Sequence, residues 1–428
     1  MKTYTEPSRT IPVKHEVDVL VVGAGPAGVG AALAAAREGA RTLLIEQSGA
    51  VGGVATSGLM SHWTGKTEHI GIYGEILRRA QDAEDPHLIN PEKLKLALLE
   101  MLREAGVRYQ LYTFAGDVIV EDGVIRGIIT ESKSGREAIL AHIVVDATGD
   151  GDIAAKAGVP FTKGRRSDGK MQPMTLMFKV GGVDADRVVR WVGGFEDTYD
   201  TPEGDIQSLA RAHLPHPAGH LLIYRSTLPG VVTCNMTNVI DVDGTKAEDL
   251  TKADLECRRQ IPEIVTFLRT YVAGFEDCFV ISAAPVIGVR ETRHFEGEYA
   301  ITEDDILAAR VFDDWVVPKV HFNFDVHNLT GAGLDETGAQ KHFSQARHYT
   351  IPYGCFVPKG VDNLYLAGRD ISGTHKAHSN FRVMPICVLM GQAVGVASAY
   401  CVECGVTPRE VEVSQIQATL RAQGVSPD

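Results

Sequence analysis

Apolar positions along the chain fall into two textures. The first is short, β-branched and nearly unbroken. Val17-Asp18-Val19-Leu20-Val21-Val22, Arg41 to Ile45 and Ile143-Val144-Val145-Asp146 have this form, the pattern of parallel strands buried on both faces. Between the first two lies an Ala-rich stretch, Pro26 to Glu38, stopped by Gly39, which predicts a helix. Strand, helix and strand within thirty residues make a βαβ unit and hence a parallel sheet. Helices are predicted at Tyr73–Asp82 and at Pro91–Glu104, where Pro91 suits a first turn and Gly106 ends the run. Val107 to Ala141 alternates in short strands, with a hairpin turn at Glu121-Asp122-Gly123-Val124.

The second texture, Phe161 to Gln340, mixes strands (Thr175–Val180, Leu221–Ser226, Val231–Met236) with helices. The longest helical stretch, Lys246–Tyr271, contains Pro262, which is expected to break or kink it. Thr302-Glu303-Asp304-Asp305 is close to a capping box. Asn363 to Ala367 reads as a further strand. Val383 to Val402 is twenty residues without a charge, long enough to span a bilayer. It carries Pro385, Gly391, Gln392, Gly395 and Ser398, so it is read as a buried helix and no membrane span is expected. The expected layout is a discontinuous nucleotide-binding domain from 1–160 and 341–428, with an α+β substrate domain, 161–340, inserted between.

Composition narrows the class. A chain of 428 residues with a formal charge of −13 and no basic run excludes nucleic acid as an expected partner. The N-terminal residues through Glu16 do not resemble a signal peptide, and seven scattered cysteines suit free thiols in a reducing, cytoplasmic setting. Glycine, 44 residues, is in excess without any linker or collagen period, so it marks tight turns or backbone close to a ligand.

Gly23-Ala24-Gly25-Pro26-Ala27-Gly28 is a G-x-G-x-x-G that follows a strand and opens a helix. In that setting Gly23 permits the turn, Gly25 lets backbone approach a pyrophosphate, and Gly28 allows close helix–strand packing. The helix N-terminus offers free N–H groups to the phosphates. Glu46, with Gln47 after it, ends the second strand where a carboxylate accepts from ribose hydroxyls.

Three further segments separate FAD from NAD. Val51-Gly52-Gly53-Val54-Ala55-Thr56-Ser57-Gly58, Asp146-Ala147-Thr148-Gly149, and Asn363 to Asp370 followed by Gly391-Gln392-Ala393-Val394-Gly395 resemble the FAD-binding domain of glutathione reductase-like and succinate dehydrogenase-like flavoproteins. With Arg290-Glu291-Thr292-Arg293 to Glu298-Tyr299 and Leu364 to Arg382, the chain is similar to the broad FAD-dependent oxidoreductase family. The resemblance implies an α/β fold: a Rossmann-like FAD-binding domain with a parallel sheet and β-meander, plus the inserted domain. It implies that Gly52, Gly53 and Ser57 run beside the pyrophosphate and flavin, with Ala147, Thr148 and Gly149 in the same cofactor set. Asp370, preceded by Arg369, would bond the ribityl chain. The last helix, with Gly391 and Ala393, would aim its N-terminus at the pyrimidine edge, and Val118 would contact adenine.

No second dinucleotide fingerprint is found, Gly331-Ala332-Gly333 lacking a preceding strand and a third glycine. The electron partner is therefore open between oxygen, a quinone, a carrier protein and a transient nicotinamide. Cys401-Val402-Glu403-Cys404 has neither redox nor zinc context, and no metal site is expected. His375-Lys376-Ala377-His378-Ser379-Asn380-Phe381-Arg382 falls between the Asp370 segment and the last helix. This nominates His375 or His378 to move a proton and Arg382, with Arg290, to orient a substrate. Arg290 and Arg293 read equally as substrate-binding or as part of an ion-pair network between domains, His62 and Trp63 as a packed core pair ahead of a cover for one flavin face, and His213, His216 and His220 carry no assignment. The expected function is hydride transfer between FAD and a small polar substrate, carboxylate-bearing among the candidates. The alternatives are an ene-reductase or monooxygenase on the same fold, and a flavin-binding sensor or assembly protein without turnover. A homo-oligomer is left open.

Overall fold

The computed structural model describes residues 2–335, 345 and 347–428. The elements of the first texture are β1 (Val13–Val22), α1 (Pro26–Arg37), β2 (Thr42–Ile45), α2 (Gly71–Ala80), α3 (Pro91–Glu104), β3 (Arg108–Gln110), β4 (Phe114–Glu121), β5 (Val124–Ser132), β6 (Gly135–Asp146) and α4 (Asp152–Lys156). The middle of the chain forms β7 (Phe161–Lys163), β8 (Phe178–Gly181), β9 (Asp200–Thr201), β10 (Gly204–Asp205), α5 (Ile206–His213), β11 (Ile223–Arg225), β12 (Val232–Cys234), α6 (Ala247–Tyr271), β13 (Phe279–Ala283), β14 (Arg293–Phe295), α7 (Glu303–Leu307) and β15 (Trp315–Val320). The remainder forms β16 (Tyr349–Pro352), β17 (Leu364–Leu366), α8 (His375–Phe381), α9 (Met384–Cys404) and α10 (Val413–Ala422).

The large sheet has the order β3-β2-β1-β6-β5-β4, with β17 also on β6. Strands β3, β2, β1, β6 and β17 run parallel, and β4 and β5 return as an antiparallel meander. Strand β6 is shared along its length. Its residues Gly135 to Leu140 pair with β5, while Val144 to Asp146 pair with β17 from far down the chain. Residues from both ends of the sequence therefore build one sheet, and the strand ends that converge on Asp146 are where its ligand crevice opens.

Helix α9 lies against α1, and glycine permits the contact. A Cβ on Gly391 would stand 1.9 Å from the Ala27 carbonyl oxygen, and one on Gly395 2.3 Å from that of Ala31. Every residue of α9 from Met384 to Ala399 is buried, so its apolar length faces protein. Helix α6 runs as one helix through Pro262, so the proline does not break it. The box at Thr302 forms with both reciprocal hydrogen bonds to Asp305.

A second core gathers residues from Met174 to Ala284 around the sheet β11-β12-β8-β13, α5 and α6. Phe295, Trp315, Val317, Val320, Phe324 and Tyr349 join the first core. The expected boundary at 340/341 lies outside the described residues.

Candidate active site

A cavity of about 740 Å³ runs from the glycine turn after β1 to the sheet of the second core. Its first half is built of backbone. Gly23 (φ 98°) turns the chain out of β1, and a Cβ there would stand 2.5 Å from the Ala147 carbonyl oxygen. On Gly28 a Cβ would stand 1.8 Å from the Gly23 carbonyl oxygen, so helix and turn close tightly. Gly25 differs: nothing lies within 4 Å of where its Cβ would be. That open face borders the cavity at the N-terminus of α1, whose free N–H groups suit a pyrophosphate.

Glu46 lines the cavity and fastens the turn, accepting from Ala24 N at 2.8 Å and from Ser48 N at 2.7 Å. Below it, the buried Asp146 carboxylate accepts from Thr148 N (3.1 Å), Thr148 Oγ1 (2.7 Å), Ile153 N (2.8 Å) and Ala154 N (2.8 Å). These bonds cap α4 and hold the turn Ala147-Thr148-Gly149 against the cavity, although burial pushes the Asp146 carboxyl up to about 6. Asp370 is buried behind the lining residues Gly368 and Arg369, and neither carboxylate oxygen has a hydrogen-bond partner. Burial, with Asp146 nearby, raises its pKa well above the carboxylate range. A buried acid without a partner suits a hydroxyl-bearing ligand. The open face of Gly25, the acid at the end of β2 and orphaned Asp370 together fit FAD.

Most of the residues expected to hold the cofactor are brought together. Gly23, Gly25, Pro26, Ala27, Glu46 and Gln47 line the cavity. So do Gly53, Ser57, Ala147, Thr148, Gly149 and Arg369. Ala24, Gly28 and Gly52 lie within the turns that carry these residues. Three fall elsewhere. Val118 lies within β4, paired with Ile128, and the strand start at Thr113, Phe114 and Ala115 meets the cavity instead. Gly391 packs on α1, and the buried Ala393 is also in the core beyond the lining. The α9 residues at the cavity are Met384 and Cys387, in its first turn, because a dipole acts from the helix end.

The far half of the cavity is polar. Arg382 Nη2 donates to the Asp325 carboxylate at 2.9 Å and to its carbonyl oxygen at 3.0 Å. Arg290, nine-tenths buried, donates from Nη1 to Pro173 O at 2.6 Å. His327 Nε2 lies 3.3 Å from Asp325 Oδ2. Burial works against the Asp325 charge, but His327, Arg382 and Arg290 hold its carboxyl well below the usual range. Burial, then the Arg290 charge, lowers the His327 pKa to about 4, and burial lowers that of neighbouring His220 to about 3. Burial followed by the Arg382 charge brings Arg290 down to about 10. At neutral pH the group thus holds two guanidiniums, one carboxylate and uncharged imidazoles. One positive charge is left to meet an anion.

Arg290 and Arg382 therefore stand together at the cavity, as expected. His375 and His378 do not line it. His375 Nδ1 lies 2.6 Å from Glu291 Oε1, and the buried His378 packs edge-on to His294. Arg293 pairs with Asp152 at 2.9 Å and with Asp150 O at 2.6 Å. Trp63 is buried and stacked on Tyr73, and His62 stacks on Tyr224 at 5.4 Å between ring centroids. Asp325, His327, Tyr224 and Asn235 line the cavity without having been singled out from sequence. The pair Asp325-Val326-His327 was the one local sign, and it is too short to carry meaning by itself.

The description "FAD dependent oxidoreductase" matches residues 18–420. Digeranylgeranylglycerophospholipid reductase 2 of Methanopyrus kandleri is 29% identical over 165 residues, which is 35% of this chain and 42% of that protein. Urocanate reductase of Eggerthella lenta is 35% identical over 136 residues, covering 28% of this chain and 21% of that one. The matches thus span less than half the length of these curated relatives. A geranylgeranyl bacteriochlorophyll reductase-like protein from Thermoplasma acidophilum superposes with a TM-score of 0.52 at 14% identity, covering 96% of this chain and 84% of its own, and shares the fold. Given a match along nearly the whole chain and a cavity that fits the cofactor, the protein belongs to the FAD-dependent oxidoreductase family and is an FAD-dependent enzyme.

Proposed function

We propose that the enzyme transfers hydride between FAD and a small carboxylate-bearing substrate, with His327 rather than His375 or His378 as the proton-moving group. One observation carries the reading: Arg290 and Arg382 share the far half of the cavity with a single carboxylate, Asp325. When bound, FAD supplies the two-electron acceptor or donor. Arg382, steadied by Asp325, and Arg290 bind and orient a substrate carboxylate. His327 keeps Nε2 toward Asp325, which fixes its tautomer and leaves Nδ1 to take or give the proton. The inserted sheet, through Tyr224 and Asn235, closes this end and excludes water.

Reduction of a double bond next to a carboxylate uses the same grip, and the partial similarity to a urocanate reductase favours it as the second reading. The buried thiols are consistent with a cytoplasmic location. The test is anaerobic. The FAD-loaded protein is mixed with 2-hydroxy acids and amino acids, and with their amides and alcohols, while the visible flavin absorbance is followed. In a parallel set the chemically reduced protein is mixed with unsaturated acids. Acids should react at least ~100-fold faster than neutral analogues at equal concentration, given ~3 kcal/mol for a paired carboxylate. Equal rates would remove the arginine pair from the argument.

A further inference from the structure

We propose that Glu291, His294 and His375 form a binding site for a first-row divalent cation, next to but separate from the flavin cavity. Their ligating atoms lie within 4.8 Å of one another. Glu291 Oε1 is 2.7 Å from His294 Nε2 and 2.6 Å from His375 Nδ1. The other carboxylate oxygen, Oε2, accepts from Gln172 N at 3.0 Å, which fixes the plane of the group. Glu291 is 1% exposed, and among the described residues no lysine or arginine pairs with it. A buried carboxylate without a cationic partner is costly, and a dication held by two imidazoles and this oxygen neutralises it.

A second observation points the same way. His378 is 1% exposed, its ring meets that of His294 at 5.1 Å, and its Nδ1 has no hydrogen-bond partner. Protons alone leave the hydrogen bonding of this cluster incomplete. His375 and His378 are three apart in α8, so both rings fall on one face and turn toward the Glu291–His294 segment. Two imidazole nitrogens and one carboxylate oxygen suit zinc or iron, with positions left for water or His378. Ligands at ~2.1 Å in a tetrahedral arrangement stand ~3.4 Å apart, so the two rings would move outward by less than ~1 Å. His294 would carry its ring proton on Nδ1 in the bound form. The ion would join the segment that bears Arg290 to the helix that ends at Arg382.

The FAD-loaded protein is dialysed against a chelator and incubated separately with Zn²⁺, Fe²⁺ and Mn²⁺. It is then desalted and its metal content measured per chain. Wild type should retain about one ion per chain, and Glu291→Gln and His294→Gln should lower retention by ~tenfold or more. Cys404→Ser, which removes the exposed thiol, should leave retention unchanged. X-ray absorption at the metal edge of the wild-type protein should show two imidazoles and oxygen at ~2.0–2.1 Å. The spectrum needs no variant to fold. Absence of a retained ion, a coordination shell without imidazole, or retention unaltered in both site variants would overturn the proposal.

Discussion

Two glycines assigned to the cofactor from sequence have different surroundings, and a paired substitution separates them. Gly25 has extended backbone (φ −69°, ψ −177°), and a methyl group there meets nothing within 4 Å. Gly25→Ala should therefore fold normally, gaining ~0.4–1 kcal/mol in the apoprotein because the unfolded chain loses freedom. Its methyl group projects into the space that backbone N–H groups leave for a pyrophosphate, so FAD affinity should fall by at least ~tenfold, or ~1.4 kcal/mol. Gly391→Ala is the opposite case. Its Cβ would stand 1.9 Å from the Ala27 carbonyl oxygen, where contacts under 3.0 Å do not occur, so α1 and α9 must part by about 3.0 − 1.9 = 1.1 Å. A gap of that size forfeits a quarter to a half of each dispersion contact across the interface. Overpacking costs up to ~3 kcal/mol, and the alanine returns ~1 kcal/mol of helix propensity, leaving a loss of ~2 kcal/mol. Urea unfolding of the apoproteins and FAD titration by fluorescence quenching measure the two effects independently. If Gly391→Ala is as stable as wild type, or Gly25→Ala binds FAD within twofold of wild type, the division between packing and cradling glycines is wrong.

Three further substitutions address side chains. Arg382→Met should raise the KM for an acid substrate by ~30- to 100-fold, the loss of ~2–3 kcal/mol from a charge-assisted contact, with less effect on flavin bleaching at saturation; an unchanged KM would place the carboxylate elsewhere. His327, lowered to about 4, stays neutral from neutral pH down, so kcat/KM should hold between pH 5 and 8 and fall as the pH approaches ~4, and His327→Asn should abolish that limb; a limb near 6.5 would point to another histidine. Because the unfolded chain takes up this proton near ~6.5, the associated stability is present above that value and is lost as pH falls toward about 4. Asp370→Asn should weaken FAD binding yet stabilise the apoprotein, since the folded-state pKa of Asp370 is raised and its ionisation disfavours folding as pH climbs above ~3.9; urea midpoints of the two apoproteins at pH 4 and pH 7 would reveal it, and a variant less stable than wild type at pH 7 would contradict it.

The cofactor half was legible because backbone makes it. A turn that needs Gly23 at positive φ, a helix start at Pro26 and an acid at the end of β2 each restrict residue type at a fixed spacing, and a single sequence preserves that spacing. Adjacency on the chain was less reliable. His375 and His378 sit in sequence between two segments expected to contact the flavin, yet α8 turns them toward Glu291, and Gly391 in the second turn of α9 packs on α1. Helix periodicity decides which side such residues take, and residues 375–382 were placed only by the segments on either side, with no period applied. Of the break or kink expected at Pro262, the break does not occur: local propensity is outweighed by packing, since Ile261, Ile264, Val265 and Leu268 bury on both sides of the proline.

The substrate half could not be read in this way because its residues share no segment. Tyr224, Asn235, Arg290, Asp325 and Arg382 arrive from five places, and their relation is electrostatic, not a matter of spacing. Asp325 is tolerable in the interior because Arg382 and His327 bond to it, and its charge in turn acts on both guanidiniums that face the cavity. Such a group is balanced as a unit: losing the acid alone leaves two buried cations in mutual repulsion, and losing one arginine leaves the acid short of a partner. On the proposed function, a substrate carboxylate would complete the balance by bringing the second negative charge that the pair of arginines lacks. On the same reading, the glycine-rich half would set where the two-electron chemistry takes place, and this charge deficit would select what is brought to it.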